Sequence, residues 1–336
     1  MRKLIFFLII NLFLININAS IVVMDYDSGR VLYAKNPNNI KLIASTSKVM
    51  TSLIALENAP LDKKIIVGKE IYEAYGSMTY IKEGEELTLE DLLKGLMLQS
   101  GNDAALTIAN NVMPYNEFIA YMNLKAYKLG MYNTRFENPH GLNDSTKNTS
   151  TAYDMALLMR YAIKNKDFIN ITSCYEHRVG NHIWYNKNKL LKDYKYLISG
   201  KIGYTKASGE VYVSAAKKDN KTLIIVSIDE SDKFDLHKNL YEKYFKIYDR
   251  YKVLDKNTFS FKVDNNTNNH YYIRNDFYML LNKKEIDDLT IRINLNENKN
   301  IVEIYLNKDL IHTEKIYSLR YKERVNKIKE LLLFWK

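Results

Sequence analysis

Three short sets of residues have types and spacings that could carry acyl-transfer chemistry. The first is Ser45-Thr46-Ser47-Lys48, where a loop enters a strong helical pattern. Residues three apart at a helix start share a face, so the Ser45 hydroxyl and the Lys48 amine can touch. A serine nucleophile needs a base, and a lysine desolvated at a cleft floor has its pKa lowered enough to serve. The helix N-terminus also favours negative charge developing nearby. By itself the spacing is weak, because an N-cap serine followed by a surface lysine looks the same. It recurs at Ser214 and Lys217, but inside a predicted strand, where residues three apart point to opposite faces. That copy is set aside.

Two further sets lie downstream in fixed order. Ser100-Gly101-Asn102 falls in a short break between two helical patterns, where a hydroxyl and an amide can be aimed into a cleft. A polar turn that merely caps the next helix is the plainer alternative. Lys201-Ile202-Gly203 opens a predicted strand and is followed by Tyr204 and Thr205. A cation there, with glycine allowing close approach, suits a substrate carboxylate held against an edge strand. An ordinary strand lysine is the alternative. In order, Ser-x-x-Lys, Ser-x-Asn and Lys-x-Gly form one signature, which is far more specific than its parts.

The elements that must position these residues follow from the periodicity. Residues 21–24 and 31–34 read as a hairpin across a glycine-containing turn. Residues 46–57 carry a broad apolar helical face, and Thr88 to Asp91 resembles a capping box opening a helix over 89–98. Further helices are expected over 103–112, 115–129 and 151–164, then strands over 201–204, 211–216 and 222–228. The early and late strands are expected to share one sheet with the helices clustered between them, an α+β order without strict βαβ alternation. A helix over 240–251 closes this unit. From residue 253 alternating strands at 259–263, 289–295, 301–306 and 310–316 predict a small all-β domain. Residues 318–336 return to a helical period with an apolar face and a Lys/Arg face. The expected organisation is therefore a leader (1–19), a catalytic unit (20–252), a β-domain (253–317) and an amphipathic terminal helix (318–336).

The composition narrows the function. The chain has 336 residues, a formal net charge of +10 and a single cysteine, Cys174, so an intramolecular disulfide framework is excluded. The surplus charge suits an anionic partner, but it is scattered and forms no compact nucleic-acid motif. Cys174, His177 and His182 show no metal-ligand spacing, and neither a metal nor an organic cofactor is expected. Arg2 and Lys3 precede a short apolar run that ends at Ile17-Asn18-Ala19. That is the layout of a secretory signal peptide cut before Ser20, with an uncleaved anchor as the alternative. Either way the folded part is exported.

Residues 21–251 resemble the low-molecular-mass penicillin-binding proteins, the serine-type D-alanyl-D-alanine carboxypeptidases (peptidase family S11). The likeness extends past the three motifs to the opening hairpin at 24–33, to GEELTLEDLLKGLMLQSGNDA at 84–104, to Asn138-Pro139-His140-Gly141-Leu142 and to Asn186-Lys187-Asn188-Lys189-Leu190-Leu191. The resemblance implies a penicillin-binding/β-lactamase-like fold and removal of the last D-alanine of a peptidoglycan stem pentapeptide through an acyl-enzyme. It makes Ser45 the nucleophile, Lys48 its base and Ser100 the relay to the leaving amine. Asn102 would hold the substrate amide, Lys201 and Gly203 would serve the terminal carboxylate and the close approach of the strand, and the N–H groups of Ser45 and Tyr204 would form the oxyanion hole. It also implies covalent inhibition by β-lactams, a structural role for His140, and a membrane surface as partner of the terminal helix. A β-lactamase on the same scaffold is the rival, but the Glu-x-x-Leu-Asn segment of class A is absent. The family's third motif is usually Lys-Thr-Gly. Ile202 replaces its threonine, which predicts a loss of roughly 1.5–3 kcal/mol of substrate capture, offset in part by Lys187 or Thr205. A catalytically weakened wall-binding protein is the corresponding alternative.

Overall fold

Strand β1, Ser20–Asp25, is buried along its whole length, which an internal strand of a covered sheet requires. The computed structural model describes residues 18–262, 269–296 and 299–320. β1 pairs on one side with β2, Val31–Lys35, and on the other with a late strand. The late strands are β3 (Leu197–Thr205), β4 (Gly209–Lys218) and β5 (Lys221–Ile228), and the sheet order is β2-β1-β5-β4-β3. All its pairings are antiparallel. The expected union of early and late strands in one sheet is what forms, and it leaves β3 at an edge.

Alternation along the strands builds two cores. Val211, Val213 and Ala215 face a helical cluster, whereas Tyr212 and Ala216 face the opposite side. The helical cluster contains α1 (Lys48–Asn58), α2 (Leu89–Lys94), α3 (Asn102–Val112), α4 (Tyr115–Lys128), α5 (Ala152–Ala162) and α6 (Lys166–Ser173). The capping box at α2 is present, with Thr88 and Asp91 bonding each other's backbone N–H groups. The turn after α2 widens into a single π-type turn, Gly95–Gln99, where an unbroken α-helix to residue 98 was expected. Such turns recur at functional sites.

The far face is covered by α7, Lys233–Ile247, which starts seven residues before the expected helix over 240–251 and ends four before it. Its inward positions, Lys233, His237, Tyr241, Tyr244 and Phe245, have the right spacing, but lysine, histidine and tyrosines mute the apolar signal. It stops early because β6, Asp249–Leu254, pairs with β7, Phe277–Leu281, a contact too distant in sequence to read from local pattern. A third cluster, centred on Met279, Val302 and Ile304, lies under β7 and the sheet β8 (Leu289–Asn296), β9 (Lys299–Leu306), β10 (Asp309–Lys315). Residues 317–320, whose last three were expected to begin the terminal helix, form a strand against Asn269–Tyr272. The remainder of that helix, 321–336, and the leader through residue 17 lie outside the described residues.

The turn between β1 and β2 ties the catalytic sheet to these later strands. Asp25 accepts from the N–H groups of Asp27 and Leu280. Arg30 forks onto Glu285 at 2.7 and 3.0 Å, and Arg250 onto Asp27 at 2.6 and 3.2 Å. Bidentate pairs of this kind fix orientation as well as distance.

His237 is fully buried, with one ring nitrogen 2.7 Å from Ser214 Oγ and the other 2.9 Å from Ser227 Oγ. Burial, reinforced by Lys233, holds its pKa well below the ordinary value of 6.5. The folded state therefore resists a proton that the unfolded chain accepts. Stability should be full above about pH 6.5 and fall below it, with a slope approaching about 1.4 kcal/mol per pH unit for this proton. In denaturant titrations from pH 8 to 4, His237→Gln should lose roughly 1–3 kcal/mol at pH 8 and flatten part of that slope. An unchanged slope would assign the acid sensitivity elsewhere.

Candidate active site

Ser45 lies in a 3₁₀ turn, Ala44–Ser47, that runs directly into α1. The turn is braced from inside by Thr46 Oγ1 on the Ile43 carbonyl at 2.5 Å and Ser47 Oγ on that of Ala44 at 2.8 Å. Ala44 itself has φ 46°, an uncommon conformation for a residue with a Cβ. Such strain persists only where the surroundings over-determine it. They do here: a Cβ on Gly141 would sit 1.9 Å from the Ala44 carbonyl oxygen, so the loop 138–142 is pressed against the turn from below. Asn138 holds that loop, its Oδ1 accepting from the N–H groups of His140 and Gly141.

Lys48 is fully buried, and its amine has three neighbours: Asn102 Oδ1 at 2.7 Å, the His140 carbonyl oxygen at 2.7 Å and Ser45 Oγ at 3.0 Å. The first two can only accept. A neutral amine has two N–H bonds to give, so both are used, and its lone pair is left for the serine hydroxyl. Burial, followed by the charge of Lys201, pushes Lys48 well below the usual lysine value, while Asp103 opposes the shift. The same burial and Lys48 hold His140 neutral, at about 3. His140 serves through its backbone, which fits its expected structural role.

Ser100 caps the π-type turn in the left-handed region, φ 64°. Its hydroxyl is 3.0 Å from Lys201 Nζ, which also donates to the Ile202 carbonyl at 2.9 Å. Burial, then Lys187, brings Lys201 down to about 7. Asn102 opens α3. Besides accepting from Lys48, it donates its side-chain amide to the Tyr75 carbonyl at 2.5 Å. Both ends of the side chain are therefore engaged within the protein, which ties it to holding Lys48 as much as to any substrate amide.

Edge strand β3 brings in the third set. Lys201 pairs with Val213 and Gly203 with Val211, so both lie on the helical-cluster face. A Cβ on Gly203 would stand 2.9 Å from Ser45 N and 3.1 Å from Thr46 N, so the strand runs against the backbone of the nucleophile turn. Tyr204 is exposed beside it. Ile202 pairs with Tyr212 and packs into the cluster under α7. The residue expected to handicap the site thus points to the other face. Of the two expected compensators, Thr205 has its hydroxyl tied to Ser208, at 3.0 Å from both Oγ and N, in the β3–β4 turn. Lys187 remains at the site: its N–H donates to the Leu98 carbonyl at 3.2 Å, and its charge depresses both Lys48 and Lys201. The rejected copy is confirmed as structural, since Ser214 faces His237 and Tyr241.

Sequence reasoning brought together Ser45, Lys48, Ser100, Asn102, Lys201 and Gly203. It missed the His140 carbonyl and Asp103, whose carboxylate accepts from the N–H groups of Thr79 and Tyr80. A carbonyl has no sequence signature, whereas an acid in the first turn of α3 was a visible sign.

The arrangement places a buried amine, with two N–H groups engaged, against a serine hydroxyl, which is geometry that can support acyl transfer. The D-alanyl-D-alanine carboxypeptidase model of peptidase family S11 matches residues 15–232, and the chain belongs to that family. A D-alanyl-D-alanine carboxypeptidase of Bacillus subtilis is 35% identical over 220 residues, 62% of this chain and 56% of its own length. One from Mycobacterium tuberculosis is 34% identical over 209 residues, covering 61% and 72%. The chain thus spans little more than half the length of the Bacillus relative. Among solved structures, penicillin-binding protein 6B of Escherichia coli superposes with TM-score 0.70 at 25% identity, over 90% of this chain and 94% of that one. Penicillin-binding protein 5 of Haemophilus influenzae gives 0.75 at 23% identity over 90% and 96%, a likeness of fold.

The contact of Gly203 with Ser45 predicts that Gly203→Ala displaces the strand from the nucleophile. A shift of about 1 Å costs roughly a hundredfold, and labelling of Ser45 by an acylating probe should slow by that order while thermal stability changes little. Unchanged labelling would show that β3 does not shape the site.

Proposed function

We propose that this chain is an exported serine-type D-alanyl-D-alanine carboxypeptidase that removes the last D-alanine from peptidoglycan stem pentapeptides. The observation that carries the reading is the Lys48 amine, whose two N–H groups are spent on Asn102 and His140 and whose remaining position faces Ser45 at 3.0 Å. Ser45 attacks the carbonyl between the two D-alanines and Lys48 takes its proton. The oxyanion is received by the N–H groups of Ser45 and Tyr204, each donor worth about 3–4 kcal/mol of barrier. Ser100, 3.0 Å from Lys201, relays to the departing amine the proton that Lys48 took from Ser45, so neither residue gains or loses a proton overall. Lys201 attracts the terminal carboxylate, and water then cleaves the acyl-enzyme. β-Lactams acylate the same serine. The leader directs export, the terminal helix rests on the membrane surface, and the units 20–252 and 253–317 act as catalytic and supporting domains. Among the described residues no helix is long and apolar enough to cross a membrane.

Incubation with a pentapeptide should release D-alanine, and a fluorescent penicillin should label the protein covalently. Ser45→Ala should abolish the label and lower turnover by about 10⁴-fold or more. Label persisting on Ser45→Ala would refute the assignment, and rapid penicillin turnover would favour the β-lactamase reading.

The pH dependence gives a second test. Lys201 sits at about 7, so it is charged below that pH and loses its proton above it. kcat/KM for the pentapeptide should decline above about pH 7 as carboxylate capture is lost. Lys201→Arg, charged throughout, should lack that decline whatever its absolute rate.

A further inference from the structure

Asp103 directly follows Asn102 and is fully buried in the first turn of α3. Among the described residues it enters no ion pair, and its oxygens are spent on backbone. Oδ1 accepts from the N–H groups of Thr79 and Ala104 at 2.9 Å, and Oδ2 from those of Thr79 at 2.9 Å and Tyr80 at 2.8 Å. These bonds fix a strap, residues 75–80, across the start of α3. Asn102 holds the same strap from its other end, through its own N–H on the Ser77 carbonyl at 2.8 Å and its side chain on that of Tyr75. Tyr80 is kept in the left-handed region at φ 62°, although the residue is 75% exposed. A bulky residue adopts that conformation only under constraint, and the buried carboxylate is the constraint.

The position of Asp103 also bears on the base. The charges that act on Lys48 are those of Lys201 on β3, Lys187 in the segment before residue 190 and Asp103 on α3, beside a neutral His140 whose carbonyl it touches. Two are cations that disfavour a further positive charge, and Asp103 is the carboxylate set against them. Burial of a charged group is costly unless something else rewards it.

We propose that Asp103 is a positioning residue for the acyl-transfer reaction: it acts through Lys48, offsetting part of the positive charge crowded around that amine and, by way of the strap, fixing Asn102 against it. The proposal rests on the reading of Lys48 as the base.

The test is the acidic limb of the kcat/KM profile for D-alanine release, compared between wild type, Asp103→Asn, Tyr80→Gly and the double variant. Asparagine keeps the shape and one acceptor but removes the charge. Its limb should move to lower pH by about half a unit to one unit, because Lys48 then sheds its proton more readily. Tyr80→Gly should leave the limb in place. It also relieves the left-handed strain, so the double variant stays folded if Asp103→Asn alone does not, and should show the same displaced limb. A limb unmoved in both asparagine variants, with rates lowered uniformly, would make Asp103 purely structural and overturn the proposal. A wild-type profile with no acidic limb would instead sink the reading of Lys48 itself.

Discussion

Everything at this site depends on an amine kept out of water without a carboxylate bonded to it. Lys48 is fully buried and bonds to two neutral acceptors and the serine hydroxyl. A salt bridge in the same place would hold the proton on the lysine and silence it as a base. The fold instead supplies an amide oxygen from α3 and a backbone carbonyl from the loop 138–142. These satisfy the N–H bonds without rewarding the charge, and Lys201 adds a repulsion that discourages it further.

That arrangement needs several elements brought close around one turn. The carbonyl of His140 is in reach only because Gly141 lets the loop press against Ala44, and the amide of Asn102 only because α3 begins where the π-type turn ends. Gly203 does the same for β3, bringing an edge strand against the backbone of Ser45. The sheet anchors that edge through β4 and β5 to β1, and the β1–β2 turn carries the charged fork that joins β1 to the later strands. At Gly141 and Gly203 the link is a close approach that a side chain at the contact would block.

The three motifs and the mixed α+β order were legible because each rests on local pattern or on side-chain chemistry. The helical face of α1, the capping box at Thr88 and the apolar runs of β4 and β5 were all readable in this way. Partners distant in sequence were not. Residues 249–251, the first half of β6, were expected as the end of a helix because the pairing with β7 has no local sign, and residues 318–320 were expected as helix for the same reason. Ile202 shows a subtler limit. Its identity raised a doubt about the site, but which face it occupies depends on the register with Tyr212, and that register turns it away from Ser45. The carbonyl of His140 was invisible because backbone atoms are common to every residue.

The most direct test of the account is the titration of the Lys48 amine itself in the intact protein. Lysine labelled with ¹³C next to the amine reports its protonation by NMR, with Lys48→Arg identifying the resonance. The account predicts a resonance that titrates well below the ordinary lysine value of 10.5, leaving the amine neutral at the pH where D-alanine is released. A Lys48 resonance that titrates at or above the ordinary value would contradict it, since a charged amine cannot take the proton of Ser45.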